Sequence, residues 1–358
     1  MTTAKKAASA AKSKRPSRAK ASAKALLKLP GVPDVGSIAE PLNEAKPLTA
    51  AQTSRAVRAV LARRDELDDR VGSRSDILGS MVGVKVRRGK ALPSIGITFF
   101  VREKVDNKEL TPKQRIPKLL QVGEHQIPTD VMVWRQTERH ALKDTRILMD
   151  ENTQGTMTAF AQATAGLFGM TAGHCLLGPD LNPSTPIVVS MDATPSPDIW
   201  TKVGTSAMVL FIHGGQLLLG GKGYVDCGLF TLADATLQAR ALKSKMLGIA
   251  PWTALPGQTL FGVSTVKATP LDNMQRRAKV LGIQAYALDD FCDVVLDAEA
   301  PGMRGGDSGM LWFTQQLQAA AIHCHGEKRG PGQPGSVRIT AMSAERAAAA
   351  LDIKFRAG

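Results

Sequence analysis

The sequence predicts a mostly β protein whose C-terminal part is an antiparallel barrel or sandwich, preceded by a small α/β unit and a basic tail. From Gly155 onward, short apolar segments such as TMTAFAQA, YVDCGLFTL and QAAAIHC are separated by Gly and Pro. This pattern is typical of short strands joined by turns. Ahead of it, a stretch with helical spacing is followed by strand-like segments, and the first 29 residues contain nine Lys or Arg and no acidic residue.

The basic tail and its linker cover residues 1–48. Because a segment rich in Lys, Ala and Ser buries too little apolar surface to fold, we predict that it is disordered. The chain carries a net charge of +14, of which the part beyond residue 29 contributes about +5. This distribution favours a solvated tail over a nucleic-acid-binding domain, and it leaves weak contact with nucleic acid or an acidic surface as an expected role. An organelle transit peptide, which is also acid-free and rich in Ser and Ala, stays as an alternative.

The sequence has no run of 18 apolar residues and no apolar core of a secretory signal, so we predict no membrane span. Four cysteines without a CxxC pair fit reduced thiols and a cytoplasmic protein. They are Cys175, Cys227, Cys292 and Cys324. The sequence indicates no oligomeric state.

Residues 49–75 are predicted to hold one amphipathic helix. Its apolar residues recur near a helical repeat at Val57, Val60, Leu61, Leu67 and Val71. Residues 76–140 follow as a small α/β unit, in which MVGVKVRRG and SIGITFFVREKV are two strands joined by a turn and HQIPTDVMVW is a third. Residues 150–358 form the β-rich domain, which ends in an alanine-rich helix, SAERAAAALDI, with a serine as its N-cap.

The most informative string of the β-rich domain is Gly305-Gly306-Asp307-Ser308-Gly309. A serine between glycines can lie on a tight loop where successive backbone N–H groups converge, so one loop supplies a nucleophile and an oxyanion hole. A hydroxyl is a poor nucleophile at neutral pH. The hypothesis therefore requires a histidine as base and a third group to orient it.

His174 and Asp226 are the candidates for these two roles. His174 follows an apolar strand-like segment in MTAGHC, as expected of a base at the end of a strand, and the other five histidines lack this context. Asp226 is flanked by apolar residues in YVDCGLF. A carboxylate in such a setting is held in or beside the core, where a low dielectric strengthens its bond to an imidazole.

These segments resemble the motifs of trypsin- and chymotrypsin-like serine peptidases. TAGHC resembles TAAHC, VDCGLF resembles D-x-A-L and GGDSG resembles GDSGG, in the same order along the chain. The resemblance implies a chymotrypsin-like double antiparallel β-barrel with six strands in each barrel and a cleft between them. It also implies a serine endopeptidase that cleaves a peptide or protein substrate through an acyl-enzyme, with no cofactor and no metal.

On this resemblance Ser308 is the nucleophile, His174 the base and Asp226 the orienting carboxylate, and the backbone N–H groups of Gly306 and Ser308 form the oxyanion hole. The segment AIHCHG resembles the strand along which such peptidases hold an extended substrate. The residues assigned to substrate binding in this way are Met303, His323, Cys324, His325 and Gly326.

Acidic specificity stays open. His323 stands where the glutamate-specific members of the family carry a histidine, but Met303 stands where they carry a small hydroxyl residue.

Three departures from the family pattern matter. No cysteine precedes Cys175, so the loop-closing disulfide of secreted members cannot form. No Ile-Val-Gly-Gly start precedes Thr156, so Asp307 is expected to find a partner other than a new N-terminus, and Arg304 is a candidate. The small N-terminal unit makes the chain more similar to bacterial intracellular members of the family.

Three other interpretations stay open. The chain could be a non-catalytic scaffold that keeps the fold, holds a peptide in its cleft and is tethered by its basic tail. It could be a peptidase held latent by residues 76–140 until a partner binds or the chain is cut. A zinc site at His323, Cys324, His325 and Cys292 is the third, although the spacing matches none of the standard sites.

Overall fold

The fold is taken from a computed structural model. It describes residues 48–63, 76–87, 90–106, 108–112, 114–122, 125–135, 137–139, 147–150, 153–177, 182–192, 200–212, 225–264, 274–287, 292–327 and 337–357. The predicted disordered tail, except its last residue, lies outside these ranges, as does the predicted helix beyond Arg63.

Helices are few within these ranges. The α-helices are α1 (Ala50–Leu61), α2 (Ala235–Lys243) and α3 (Ala344–Leu351), and 3₁₀ turns cover Gly173–Leu176 and Trp252–Ala254. α3 is the predicted C-terminal helix, and Ser343 caps it by accepting a hydrogen bond from the backbone N–H of Arg346. None of the helices in the described part of the chain has the length and apolar character that a membrane span needs.

Strands make up most of the structure. They are β1 (Ile77–Arg87), β2 (Lys90–Val101), β3 (Leu119–Val122), β4 (His125–Val133), β5 (Thr137–Arg139), β6 (Ile147–Asp150), β7 (Thr153–Gly155), β8 (Ala159–Ala163), β9 (Gly166–Thr171), β10 (Val188–Asp192), β11 (Trp200–Ile212), β12 (Val225–Thr231), β13 (Thr259–Val263), β14 (Gln275–Ala287), β15 (Cys292–Ala298), β16 (Leu311–Phe313), β17 (Ala319–Glu327), β18 (Arg338–Ser343) and β19 (Lys354–Arg356). The predicted mostly β fold is confirmed.

Six strands of the C-terminal part close into an antiparallel barrel. Their pairs run β13–β14, β14–β15, β15–β18, β18–β17 and β17–β16, and the pair Phe261↔Phe313 joins β16 back to β13. Each of the six strands is paired on both sides within the ring, and β14 and β17 extend beyond their partners β13 and β16. This barrel is the feature that the resemblance to chymotrypsin-like peptidases implied.

The other sheet has eight strands in the order β19-β8-β9-β12-β11-β10-β6-β7. It exceeds the six strands implied above because β19, from the end of the chain, adds to β8, and the β6–β7 hairpin adds to β10. Apolar side chains of both sheets form one buried cluster that includes Met170, Leu229, Ile322, Met342 and Phe355. Burial of this shared cluster holds the two sheets together, and the candidate site lies where they meet.

The segment 76–140 contributes β1 to β5. β1 pairs with β14 of the barrel and with β2, and β2 pairs in parallel with β4, so this sheet is continuous with the barrel sheet. Helix α1 covers it, with Val57 and Val60 buried in the apolar cluster of the barrel. Within the described part of 76–140 there are strands and no helix. The boundaries of the predicted domains stay a prediction.

Candidate active site

The three residues of the predicted triad come from three separate elements. β9 ends at Thr171, and the 3₁₀ turn that follows carries His174. Asp226 lies on β12, which pairs with β9 on one side and β11 on the other. Ser308 lies on the loop between β15 and β16 of the closed barrel. The contact between the sheets therefore brings together residues that are 52 and 134 positions apart in the chain.

His174 is fixed to Asp226 by two hydrogen bonds. The ring Nδ1 lies 2.6 Å from one carboxylate oxygen, and the backbone N–H of His174 donates to the other at 2.7 Å. Both side chains are buried. Because Asp226 accepts the proton of Nδ1, the other ring nitrogen is left to act on Ser308.

Ser308 places its hydroxyl between two acceptors. The Oγ atom lies 2.9 Å from Nε2 of His174 and 3.0 Å from the carbonyl oxygen of Cys324. When the imidazole is neutral, the hydroxyl can donate its proton to Nε2. When the imidazole is protonated, Nε2 donates to Oγ and the hydroxyl donates to Cys324 instead. The protonation state of His174 therefore decides whether the serine is activated.

The charge of Asp226 sets the pKa of His174. Burial alone would lower that pKa, but the carboxylate of Asp226, together with Cys175, more than offsets burial and raises it above the ordinary value of 6.5. The bond at 2.6 Å favours the charged form of the ring. His174 consequently becomes a free base only on the alkaline side of its usual range.

The loop that carries Ser308 presents two unused N–H groups. Among the described residues, the N–H groups of Asp307 and Gly309 donate to the carbonyl oxygens of Arg304 and His323, whereas those of Gly306 and Ser308 have no acceptor. The positive φ angles of Gly306 (95°) and Gly309 (94°) produce this turn. Two unpaired N–H groups beside a nucleophile are what a developing oxyanion needs.

Two buried threonines between β7 and β8 form a clasp on this loop, and a third, Thr171 at the end of β9, bonds to the first of them. The hydroxyl of Thr156 donates to the carbonyl of Gly306 at 2.7 Å, and that of Thr158 donates to the carbonyl of Gly309 at 2.5 Å. Thr171 in turn donates to the carbonyl of Thr156 at 2.8 Å. The backbone N–H of Thr156 also donates to the carbonyl of Ser308 at 2.7 Å. These bonds fix the nucleophile of one sheet against the histidine of the other.

The sequence alone does not predict this clasp. The alternation Thr-Met-Thr at 156–158 indicates two hydroxyls on the same side of an extended segment. It does not indicate which carbonyls they would meet. The contact of Phe211 is not predicted either: its ring lies edge-on to His174, with centroids 6.4 Å apart.

Asp307 is held by groups other than a new N-terminus, as expected. The backbone N–H of Arg304 donates to one carboxylate oxygen at 2.8 Å, and the hydroxyl of Ser264 donates to the other. Burial raises the pKa of Asp307 to about 6, and these two bonds with the nearby charge of Arg276 offset part of that rise. The predicted partner Arg304 thus contributes its backbone N–H as well as a nearby charge.

The residues assigned to substrate binding are all buried, and four of them lie on β17. The ring of His325 stacks on that of His174, with centroids 5.3 Å apart and an interplanar angle of 18°. The carbonyl of His323 accepts the N–H of Gly309 at 2.8 Å, and Gly326 is paired on both sides. Met303 belongs to the apolar cluster of the barrel instead of β17.

Cys175, Cys227 and Cys324 are free and buried. Burial raises the pKa of the Cys324 and Cys227 thiols well above their usual range, so both stay neutral. Ligand atoms of His174, Asp226 and His325 lie within 4.8 Å of one another, but an ion there would replace the His174–Asp226 bond. This set differs from the zinc alternative of the sequence analysis, of which it includes His325 alone. The side chain of Cys292 lies outside the described residues.

Comparisons with known proteins give structural similarity alone. Neither a scan of the sequence against protein-family models nor a search of curated proteins finds a match. Thermobifida fusca Protease A aligns over 61% of this chain and 99% of its own, at 15% identity and a TM-score of 0.37. A Glu endopeptidase aligns over 59% of this chain and 97% of its own, at 14% identity and a TM-score of 0.29. Neither match decides the chemistry of this chain, which rests on its own residues.

Proposed function

We propose that this chain is a serine endopeptidase that hydrolyses peptide bonds of an extended peptide or protein substrate. The observation that carries the proposal is the continuous chain of bonds from the Ser308 hydroxyl through the His174 ring to the Asp226 carboxylate, at 2.9 and 2.6 Å. A hydroxyl, a base and an orienting carboxylate in this order are the parts that acyl transfer to a serine requires.

The reaction follows from these parts. Nε2 of His174 takes the proton of Ser308 as Oγ attacks the substrate carbonyl carbon, and the carbonyl oxygen becomes an oxyanion facing the N–H groups of Gly306 and Ser308. His174 then gives its proton to the leaving amine, which departs and leaves an ester on Ser308. Water, deprotonated by the same ring, hydrolyses that ester. Asp226 stays ionised and stabilises the imidazolium.

Two further features concern the location of the protein and the role of its basic tail. The free, buried cysteines of the described chain support a reducing, cytoplasmic location. The basic tail is proposed to make weak contact with nucleic acid or an acidic surface, since its charge is concentrated in the first 29 residues.

The test is covalent labelling by a fluorophosphonate, which reacts with activated serines. We expect the wild type to be labelled at Ser308, and Ser308→Ala and His174→Ala to lose labelling by at least about 10³-fold. Ser184→Ala, which changes an exposed loop serine, is the matched control and should label as the wild type does. Equal labelling of wild type and Ser308→Ala is the result that either a non-catalytic scaffold or a latent peptidase predicts; equal labelling in a folded chain whose site has been opened would contradict the proposal.

A further inference from the structure

Strand β17 has a third partner beyond its two neighbours in the barrel. β18 pairs with one edge of β17, from Ala321 to Gly326. β16 covers the first half of the other edge, where Leu311 is opposite Ile322. β5 covers the rest of that edge, with Arg139, Glu138 and Thr137 opposite His325, Gly326 and Glu327. The edge that the barrel leaves open beyond β16 is thus filled by a segment from the N-terminal part of the same chain.

The nucleophile lies at the junction between these two partners. Cys324 stands between the residues that pair with β16 and those that pair with β5, and its carbonyl oxygen is 3.0 Å from the Ser308 hydroxyl. An extended peptide whose carbonyl reached Ser308 would advance about 3.3 Å per residue along this edge. Within two or three residues it would need the same main-chain groups that β5 uses.

The site is closed in this arrangement. Ser308 has no exposed surface, and His174 and His325 are 3% and 2% exposed. A substrate carbonyl cannot reach a hydroxyl that has no accessible surface. The geometry therefore describes a state in which the triad is assembled but the approach to it is blocked.

We propose that β5 is a built-in occupant of the peptide-binding edge of β17, and that it holds the peptidase latent until it leaves. The proposal rests on the function proposed above and names its regulation. β-addition by an extended segment is a general way for a sheet edge to bind peptide. Because β5 is part of the same chain, its effective concentration is on the order of millimolar, so a dilute substrate does not displace it. Release of β5 would free His325, Gly326 and Glu327 to pair with the substrate.

The test weakens the β5 pair without touching the triad. Glu138→Pro removes a main-chain N–H and disfavours pairing opposite Gly326. Val105→Pro, in an exposed loop outside the sheets, is the matched control. Each is made in the full-length chain with Ser308 intact, for fluorophosphonate labelling rates. Each is also made with Ser308→Ala, for binding of a fluorescent peptide WRQTERHA (residues 134–141) by anisotropy.

We expect Glu138→Pro to label at least about tenfold faster than wild type and to bind the peptide at least about tenfold more tightly, since the apparent affinity scales with the open fraction. Val105→Pro should match the wild type. Equal peptide affinity in Glu138→Pro and its parent would overturn the occlusion, whatever the labelling rate. Tighter peptide binding without any labelling would support the occlusion and contradict the catalytic function.

A second variant keeps the proposal testable if Glu138→Pro does not fold. Thr137→Cys with Glu327→Cys places two thiols at opposing register positions, so a disulfide would lock β5 onto β17. In the Ser308→Ala chain, the oxidised protein should bind the peptide at least about tenfold more weakly than the reduced one. Either single cysteine should show no redox effect. Unchanged binding after oxidation would overturn the occlusion.

Discussion

At the scale of single residues, the chemistry depends on one hydroxyl proton that has two acceptors. Ser308 can donate to His174 or to the carbonyl of Cys324, and only the first geometry activates it. Asp226 controls the choice because its charge favours the imidazolium. The same carboxylate that orients the base thus also delays its deprotonation to higher pH.

Asp226→Asn should change both the maximal labelling rate of Ser308 and the pH dependence of that rate. In the wild type, His174 must lose a proton to act as base, so the rate should rise with pH around a midpoint above 6.5, the ordinary pKa of histidine. Removing the negative charge lowers the pKa of His174, so the midpoint should move to lower pH. The plateau should fall by roughly 10⁴-fold because the amide no longer selects the required tautomer.

The measurement is the fluorophosphonate labelling rate across the acidic to alkaline range. Asp297→Asn makes the same change at a partly exposed carboxylate that pairs with Arg338, and its profile should match that of the wild type. A midpoint that stays in place in Asp226→Asn would contradict the role given to its charge.

At the scale of elements, the 3₁₀ turn that carries His174 lies directly on the backbone of β11 and β12. A Cβ atom on Gly173 would stand 2.5 Å from the carbonyl oxygen of Leu210 and 2.9 Å from the backbone nitrogen of Cys227. Both neighbours are strand backbone and cannot move aside without disturbing the sheet. The chain thus needs glycine where the motif TAAHC, which this segment resembles, has alanine.

Gly173→Ala should therefore push the turn away from β12 and lengthen the His174–Asp226 bond. We expect a loss of about 1–3 kcal/mol in the free energy of unfolding, as for other overpacked sites, and a clear drop in labelling rate. Chemical denaturation and labelling measure the two effects.

Gly248→Ala is the control, because its Cβ would meet only the side chain of Gln318 at 3.5 Å. Equal stability of the two alanine variants would show that the turn is not held as closely as described.

At the scale of the whole molecule, the N-terminal segment and the barrel share one sheet. β1 pairs with β14 from Gly79↔Ala287 to Gly83↔Gly282, and side chains of β1 and β2 such as Val82 and Ile97 lie in the same apolar cluster as the barrel. Removing this segment would expose the edge of β14 and part of that cluster.

A chain that begins at Ile147 should accordingly be less stable and more prone to aggregate than the full chain, even though it keeps every residue of the triad. Thermal unfolding and size-exclusion chromatography measure this. A chain that lacks only residues 1–47 is the matched control and should keep the full-length melting temperature. Full stability of the shorter chain would contradict the shared sheet and would favour a separable domain at residues 76–140.

Features that depend on neighbours along the chain can be predicted from the amino-acid sequence. Short apolar segments between Gly and Pro predicted the strands, and the serine of SAERAAAALDI predicted the cap of α3. The sequence settings of Ser308, His174 and Asp226 indicate a nucleophile, a base and an orienting carboxylate without any knowledge of the contacts between them. Local sterics and periodicity carry this information, so it can be read from short stretches.

Contacts between groups that are distant in the chain follow from the packing of the folded molecule. Thr156 and Gly306 are bonded across 150 positions, and β5, which precedes the β-rich domain in the chain, pairs with β17 near its end. A hydroxyl can donate to almost any carbonyl oxygen, and a strand edge can pair with almost any extended segment. The sequence therefore does not indicate which partner each one has. The packing of two sheets selects the partner, and that is why the clasp on the nucleophile loop and the strand that closes the site were not predicted.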